Sequence, residues 1–463
     1  MTFSLTYTQI FLQFSFLFLF ILSQIPPFSI RLSMAFFPFV FVFVCAYLIH
    51  YIFLRSYPIF LLEYSCYKPP SSRKSNIDFD EYFVRKTRRF EEKSIDFMRS
   101  IYLKSGLGDE TYIPPFVFQG YDEAPLDSVM LEAREGMFSA VDSLFLKAEI
   151  HPRDINIVIV TCGGFSPAPS LSSLLVNRYK MDPGVRTFNL GGMGCGSGVL
   201  SIDMAAHMLR ATGRKVQNAL IVITENISLN WYLGNNRPML VTNVLFRVGC
   251  AAAIITNDPA RAKFAKFQLL DSLRTHHGSD DSSYKAAIQE EDEEGKTGIS
   301  LTKDLIRVAG QNLRAHLTLL APRVLPLSQL IRYAKSVAKS ILTQDESKSN
   351  VPDFTAAFDH ICIHTGGKAV IEAIGKGLRL SDSVTEPARM TLHRFGNTSS
   401  SLVFYELAYF EAKRRIKKGD KVWMLAFGTG FKVGSLVWKA LRDSKFDENP
   451  WNDCIHRYPL KCW

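Results

Sequence analysis

The chain has no closely spaced cysteine pairs, and its first 54 residues have almost no charge. Eight cysteines are scattered along 463 residues without a CxxC pair, which argues against a zinc site and a dense disulfide framework. No helix-turn-helix, zinc-finger or RNA-binding signature accompanies the net charge of +10. We therefore expect free thiols in a reducing compartment, and no nucleic-acid partner.

The first 54 residues contain one formal charge, Arg31. Residues 32–54 are mostly apolar, and at about 1.5 Å per residue such a helix would cross a bilayer. Residues 10–25 form a shorter apolar stretch, and no Lys or Arg precedes it, which disfavours a cleavable signal peptide. The sequence predicts a membrane anchor, residues 1–54, with two transmembrane segments at about 10–30 and 32–54.

The segment after this anchor is rich in cations. Four positive side chains follow within about 20 residues, and the positive-inside rule then places the large domain in the cytosol. These side chains are Arg55, Lys68, Arg73 and Lys74.

Short, mostly β-branched apolar runs then alternate with helical patterns, which is typical of an α/β fold with strands buried on both faces. The predicted strands are 155–160, 218–223, 250–256, 359–364 and 421–427. The predicted helices include 80–104, 198–211 and 400–416. We expect residues 289–295 to form a surface loop and residues 341–352 to connect two halves.

The chain contains an internal repeat. INIVIVTCGG and DHICIHTGG both predict a strand running into a glycine turn, and a second strand–turn–helix unit follows each some 30 residues later. The first of these later turns holds Cys195 and the second holds Asn397. The expected divisions are residues 56–345, 351–445 and a tail, 446–463. If the two helix starts meet at a pseudo-twofold axis, Cys195, His364 and Asn397 come together.

Cys195 lies in GGMGCGSG, between a strand and a helix. The start of a helix favours a thiolate, so this position predicts a lowered pKa and a nucleophile. The glycines would let a thioester carbonyl reach backbone amides. A small buried side chain in a glycine turn is an equally good reading of the local pattern. Cys162, in TCGG, is the rival nucleophile, with a helix that starts later.

His364 ends a predicted strand and precedes two glycines, so it can project into a cleft or serve only as a buried structural residue. Asn397 precedes TSSS, where an Asn also serves as a helix cap. Four other histidines are candidates for supporting roles, namely His207, His277, His360 and His393.

Several longer stretches carry a recognisable pattern. They include NLGGMGCGSG, TENISLNWYLGNNRPML, RTHHGSDDSSY, HICIHTGGKAVIE, TLHRFGNTSSSLVFYELAY and KGDKVWMLAFGTGFKVGSLVWKAL. These stretches resemble those of the plant 3-ketoacyl-CoA synthases, relatives of chalcone-synthase-type enzymes and bacterial ketoacyl synthase III. The similarity runs from about residue 56 to the C-terminus, and the paired apolar segments before it also fit that family.

The resemblance implies a thiolase-like duplicated α-β-α-β-α sandwich with a Cys-His-Asn triad at Cys195, His364 and Asn397. It implies a decarboxylative condensation of a long-chain acyl-CoA with malonyl-CoA, without a metal or redox cofactor, for very-long-chain fatty acid elongation. It also implies an endoplasmic reticulum membrane location and a homodimer. Expected partners are membrane lipid and the other elongase subunits, namely a ketoreductase, a dehydratase and an enoyl reductase.

Three positions depart from the family pattern. Gly196 and Ser197 stand where Ser-Ala is usual, and Cys250 stands where Gly is usual. None of these changes removes a catalytic group, and they bear on rate and chain-length preference. Two alternatives remain open at this stage. One is a type III polyketide synthase that extends iteratively, and the other is a non-catalytic homologue that scaffolds an elongase.

Overall fold

A computed structural model describes most of the chain after the predicted anchor. The described residues are 57–213, 215–343, 352–364, 366–445 and 448–460. The predicted transmembrane hairpin, 1–54, lies outside them, as does most of the connector 341–352. Within the described ranges, none of the helices combines the length and the apolar character that a bilayer crossing requires.

Thirteen strands occur in the described residues, nine of them in one sheet. In chain order the strands are β1 (Ile59–Cys66), β2 (Lys74–Ser75), β3 (Thr111–Tyr112), β4 (Ile157–Thr161), β5 (Arg186–Leu190), β6 (Asn218–Thr224), β7 (Cys250–Thr256), β8 (Phe267–His276), β9 (Ala287–Glu291), β10 (Thr297–Leu301), β11 (His360–Ile363), β12 (Lys421–Gly428) and β13 (Lys432–Ala440). The order across the large sheet is β11-β12-β13-β8-β1-β7-β6-β4-β5, and β2–β3 and β9–β10 form separate pairs.

The helices lie between these strands. They are α1 (Ile77–Thr87), α2 (Glu92–Ser105), α3 (Pro115–Phe118), α4 (Leu126–Ala148), α5 (Leu171–Tyr179), α6 (Ser197–Ala211), α7 (Arg237–Leu245), α8 (Asp281–Lys285), α9 (Leu305–Val324), α10 (Leu327–Thr343), α11 (Lys368–Leu378), α12 (Asp382–Phe395) and α13 (Leu402–Ala412).

The strand pairing repeats across the middle of the sheet. In one half, β4 pairs parallel with β6, β6 pairs antiparallel with β7, and β7 pairs antiparallel with β1. In the other half, β11, β12, β13 and β8 repeat this pattern in the same order. The duplication that the sequence predicts is therefore present in the strand pairing.

Strands β4, β6 and β7 are covered on both faces, which is why they read as continuous apolar runs, whereas the edge strand β5 is largely exposed. Helices α6 and α13 belong to a single core, in which they pack against one face of the sheet in each half. Helices α4 and α5 cover the outer face of one half. Helices α9, α11 and α12 cover the outer face of the other. The layers are helix, sheet, helix, sheet, helix, and the predicted sandwich is confirmed.

Two local expectations are wrong. The single helix expected at 80–104 is two helices, because Arg88 takes a left-handed backbone conformation (φ 54°) that ends α1. Residues 289–291 belong to strand β9 rather than to a surface loop, and only 292–295 form the turn of the β9–β10 hairpin. Strand β1, in the centre of the sheet, was not predicted. Its apolar residues follow the apolar anchor segment so closely that the pattern does not separate the strand from that segment.

Candidate active site

The turn that holds Cys195 is shaped by its glycines. Residues Gly194–Gly196 form a single 3₁₀ turn that leads from β5 into α6. Gly194 has a φ of 63°, and a Cβ there would stand 2.5 Å from the backbone nitrogen of Thr429. A Cβ on Gly198 would collide with the carbonyl oxygen of Ser400. The glycines therefore allow the nucleophile turn to lie directly against the second half of the chain.

The starts of α6 and α13 meet, as the repeat predicts. The hydroxyl of Ser399, in the turn before α13, donates a hydrogen bond to Cys195 Sγ at 3.4 Å. The same hydroxyl lies 3.3 Å from Glu225 Oε2. Ser399 was not singled out by the sequence, because a Ser beside a predicted helix start is ordinarily a capping residue.

His364 is held by its backbone at the end of β11. Its N–H donates to the carbonyl of Leu425 on β12 at 2.8 Å, and its ring packs edge-on against Phe427 with centroids 5.4 Å apart. The residue is 2% exposed, and its Nδ1 has no hydrogen-bond partner among the described atoms. Burial lowers the pKa of His364 to about 4, so the imidazole is neutral at physiological pH.

Asn397 keeps one side-chain group bonded and the other nearly free. Its Oδ1 accepts from the backbone N–H of Ser399 at 2.9 Å, which is the local capping bond that the sequence allows. Among the described atoms, its Nδ2 makes one long contact, 3.5 Å, to the carbonyl oxygen of Gly366. An amide donor is thus held in place and remains available to a substrate oxygen.

One cavity of about 2220 Å³ is lined by Cys195, His364 and Asn397 together. Apolar side chains of α9 and α11 form much of its remaining wall, including Leu313, Leu317 and Ile374. The structure therefore brings the three predicted residues to a single space, although they are far apart in the sequence.

The protonation state of Cys195 differs from the prediction. The helix start predicts a lowered pKa, whereas burial raises the pKa of the Cys195 thiol to about 12. The Ser399 hydroxyl lowers this pKa, and the nearby Glu225 raises it. Desolvation is the largest of these effects, so we expect the resting pair to be a neutral thiol and a neutral imidazole.

Cys162 lies in a different environment. It is buried, its Sγ is 3.6 Å from Glu225 Oε1, and burial raises the pKa of its thiol well above the usual value. Within the described residues it is not among the side chains that line the cavity. The six cysteines that the structure describes are all free, as expected.

His360 and His393 have partners away from the cavity. His360, at the opposite end of β11 from His364, lies 2.9 Å from Asp420 Oδ2. His393 lies 3.0 Å from the hydroxyl of Tyr458. Neither belongs to the cavity lining that the described residues form.

His207 and His277 also lie outside that lining. His207 is largely exposed on α6, and its neighbour Asp203, 3.3 Å away, raises the pKa of its imidazole. His277 Nε2 lies 3.0 Å from Thr275 Oγ1, and burial lowers its pKa. Across the described ranges, no group of three or more His, Cys, Asp or Glu side chains is placed to hold a metal ion.

The three departures from the family pattern are accommodated locally. A Cβ on Gly196 would meet the backbone of Phe427 and Gly428 at 3.4 Å, which is an ordinary contact. Ser197 is fully buried, and its hydroxyl has no partner among the described atoms. Cys250 is buried in β7, where its Cβ lies against Gly136.

Two buried glutamates near the site were missed by the sequence reasoning. Glu225 follows β6, lines the cavity and accepts hydrogen bonds from the backbone of Gly163 and Gly164. Glu406, on α13, is fully buried and accepts a 2.7 Å hydrogen bond from the N–H of Ile363, the residue before His364. Burial raises the pKa of both carboxyls. Glu406 and Glu411 interrupt the apolar residues of α13, and a carboxyl in such a helix is the signal that could have identified Glu406.

Comparison with solved structures defines the class of fold. A fungal type III polyketide synthase, ORAS, superposes with a TM-score of 0.65 at 17% identity, covering 82% of this chain and 99% of that one. A type III pentaketide synthase from Neurospora crassa gives 0.64 at 17% identity, with the same coverage. The fold is the thiolase-like α/β fold that type III polyketide synthases share.

Sequence comparison is more specific. The profile described as FAE1/type III polyketide synthase-like protein matches residues 51–341, and that of the 3-oxoacyl-[acyl-carrier-protein] synthase III C-terminal region matches 355–440. The 3-ketoacyl-CoA synthase 17 of Arabidopsis thaliana is 46% identical over 429 residues, covering 91% of this chain and 87% of the relative. Its 3-ketoacyl-CoA synthase 9 is 45% identical over 412 residues, covering 89% and 80%. The chain belongs to the 3-ketoacyl-CoA synthase family.

Proposed function

We propose that the protein is a 3-ketoacyl-CoA synthase that condenses a long-chain acyl-CoA with malonyl-CoA through an acyl-cysteine. The observation that carries this proposal is that Cys195, His364 and Asn397 line one cavity in a member of this family. The cavity of about 2220 Å³ exceeds the roughly 300–1,000 Å³ of ordinary ligand pockets. A long acyl chain and its thioester would use that space.

Acyl transfer starts from the neutral thiol. As Cys195 Sγ attacks the thioester carbonyl, its proton passes to the neutral imidazole of His364, and CoA leaves as the thiol once it is protonated. The raised pKa of Cys195 makes proton removal during attack necessary, since a free thiolate is scarce in the resting site. The Ser399 hydroxyl, 3.4 Å from Sγ, stabilises the charge that develops on sulfur.

The backbone N–H of Cys195 is suited to hold the acyl oxygen during this step. The chain at Gly428 passes so close that a Cβ there would lie 2.5 Å from the Cys195 nitrogen. The glycine at 428 therefore keeps that amide free of a side chain. A backbone donor aimed at a developing oxyanion is an effective form of transition-state stabilisation.

Condensation follows when malonyl-CoA loses CO2. The electron pair of the broken C–C bond becomes an enolate, with its charge on the thioester oxygen. Asn397 Nδ2 and an imidazole N–H of His364 donate to that oxygen, and exclusion of water strengthens both bonds. The enolate carbon then attacks the acyl carbonyl, and the Cys195 sulfur leaves as a thiolate while the 3-ketoacyl-CoA forms. The thiolate takes one proton from water, which restores the neutral thiol for the next turnover.

We also propose where and with what the enzyme works. The apolar composition of residues 1–54 supports an anchor of two helices in the endoplasmic reticulum membrane, with the catalytic domain in the cytosol. The family supports a homodimer that passes its product to a ketoreductase, a dehydratase and an enoyl reductase. Sugar found on Asn226 or Asn397, both in glycosylation sequons, in native membranes would reverse this topology.

The test is product analysis with the full-length protein in membranes. Expression in a yeast that lacks its own very-long-chain elongation, followed by incubation with a long-chain acyl-CoA and labelled malonyl-CoA, should yield a 3-ketoacyl-CoA that is one two-carbon unit longer. The Cys195→Ala variant is the matched control and should yield none. Products with several ketide units would indicate a polyketide synthase, and no product from a correctly expressed protein would indicate a scaffold.

A further inference from the structure

Helix α10 carries an apolar face that the described residues leave largely exposed, although its Leu330 packs against the core of one half. Its apolar residues recur at the spacing of a single helix face, at positions 327, 330, 331 and 334. Leu327 is 66% exposed, Ile331 is 47% exposed and Tyr333 is 38% exposed. A helix of a soluble domain normally buries such a face.

The charge along this part of the chain has one sign. Residues 305–335, which form α9 and the first half of α10, contain no Asp or Glu. Their five cations are Arg307, Arg314, Arg323, Arg332 and Lys335. A water-facing helix usually mixes both signs, whereas a helix with an apolar face and only cations on its polar side is typical of a membrane surface that carries anionic lipids.

The exposed face is continuous with the opening of the catalytic cavity. Leu330 and Tyr333 of α10 line the cavity that also holds Cys195. Ile306, at the start of α9, lines the same cavity and is 45% exposed. The apolar surface therefore runs from the outside of α10 onto the cavity wall through Leu330 and Tyr333.

We propose that the apolar face of α10 docks on an anionic membrane surface and turns the opening of the cavity toward the lipid. The cations Arg332 and Lys335 then face phosphate headgroups, while Leu327 and Ile331 enter the boundary between headgroups and acyl chains. Entry of the acyl chain into the cavity directly from the membrane rests on the proposed function. The docking itself does not.

The experiment maps which molecules contact α10 in the full-length protein. The protein is reconstituted in phosphatidylcholine vesicles that contain phosphatidylserine and a phospholipid with a photoactivatable tail, and cross-linked peptides are identified by mass spectrometry. We expect lipid on the peptide that spans 327–335. The double variant Leu327→Glu, Ile331→Glu should lose it. Leu146→Glu, a matched change at a residue 83% exposed on α4, should leave it intact.

The cations supply a second measurement. Removing phosphatidylserine should lower the yield of lipid on this peptide, and so should Arg332→Glu or Lys335→Glu. Each cation–lipid interaction that is lost should lower the yield by about fivefold, since each cation is worth about 1 kcal/mol at such a surface. Cross-links from 327–335 to a second copy or to residues 1–54, in place of lipid, would overturn the docking proposal. So would labelling that is independent of phosphatidylserine.

Activity separates the docking from the delivery of the acyl chain. If the chain enters from the membrane, Leu327→Glu with Ile331→Glu should raise KM for a membrane-partitioned long-chain acyl-CoA and leave KM for a water-soluble short-chain acyl-CoA unchanged. Lipid labelling with no such change in KM would overturn delivery alone. Labelling of α10 in a protein without condensing activity would leave docking supported and the proposed function refuted.

Discussion

Asn397→Asp separates the two half-reactions because it changes one atom of a buried side chain. The oxygen that accepts from Ser399 N–H at 2.9 Å is kept, so the turn beside Cys195 is retained. The Nδ2 donor, whose only contact among the described atoms is 3.5 Å long, becomes an oxygen facing the Gly366 carbonyl. The site then loses a donor to the enolate and gains an acceptor, negative when ionised, beside it.

The size of the effect follows from the role of that donor. Losing one oxyanion donor costs about 10²–10³ in rate, so decarboxylation of malonyl-CoA and condensation should fall by that factor. Acyl transfer should fall far less, because its oxyanion is held by backbone amides. Single-turnover acylation and CO2 release measure the two steps separately. Asn397→Ala, which also removes the bond to Ser399, is the control for damage to the turn. An Asn397→Asp enzyme that acylates poorly but decarboxylates malonyl-CoA normally would refute this assignment.

Three further outcomes are expected. Burial holds the pKa of His364 at about 4, against 6.5 in the unfolded chain, so the unfolded chain takes up this proton first as the pH falls. The free energy of unfolding should therefore fall by about 3 kcal/mol between pH 6.5 and pH 4. His364→Asn should flatten that part of the pH–stability curve measured by urea unfolding. Glu406→Gln should keep activity because it keeps the acceptor for Ile363 N–H. Glu406→Leu removes that acceptor and should lower the free energy of unfolding by about 1–3 kcal/mol and also lower kcat. Equal losses in both variants would contradict a positioning role. Cys162→Ser should retain condensation, since Cys162 lies outside the cavity lining formed by the described residues, and an inactive but folded variant would reopen it as the nucleophile.

The features that the sequence predicts well are those set by local pattern and by the repeat. The apolar runs at 157–161, 218–224 and 250–256 are short and lack polar alternation, which is typical of strands buried on both faces, and the structure confirms them as such. The two glycine turns before α6 and α13 also follow from residue type, and the repeat indicated that they meet. The structure adds the residue that makes the contact, since Ser399 and not Asn397 donates to Cys195 Sγ.

The features that the sequence could not predict depend on burial and on contacts between distant segments. A helix start lowers the pKa of a thiol, but the sequence does not show how strongly the surrounding protein desolvates the half-buried Cys195, and this desolvation raises the pKa instead. Glu406 is 43 residues from its partner Ile363, so nothing local marks the pair. The break between α1 and α2 comes from a left-handed Arg88, a conformation that residue type does not favour.

The covalent intermediate on Cys195 is the most direct test of the central claim. Full-length protein is incubated with a labelled long-chain acyl-CoA in the absence of malonyl-CoA, digested under acidic conditions that preserve thioesters, and analysed by mass spectrometry. We predict the acyl mass on the peptide that contains Cys195, its loss in Cys195→Ala, and its disappearance when malonyl-CoA is added. Recovery of the acyl group on a Cys162 peptide, or no acyl-enzyme from a protein that nonetheless forms 3-ketoacyl-CoA, would contradict the account.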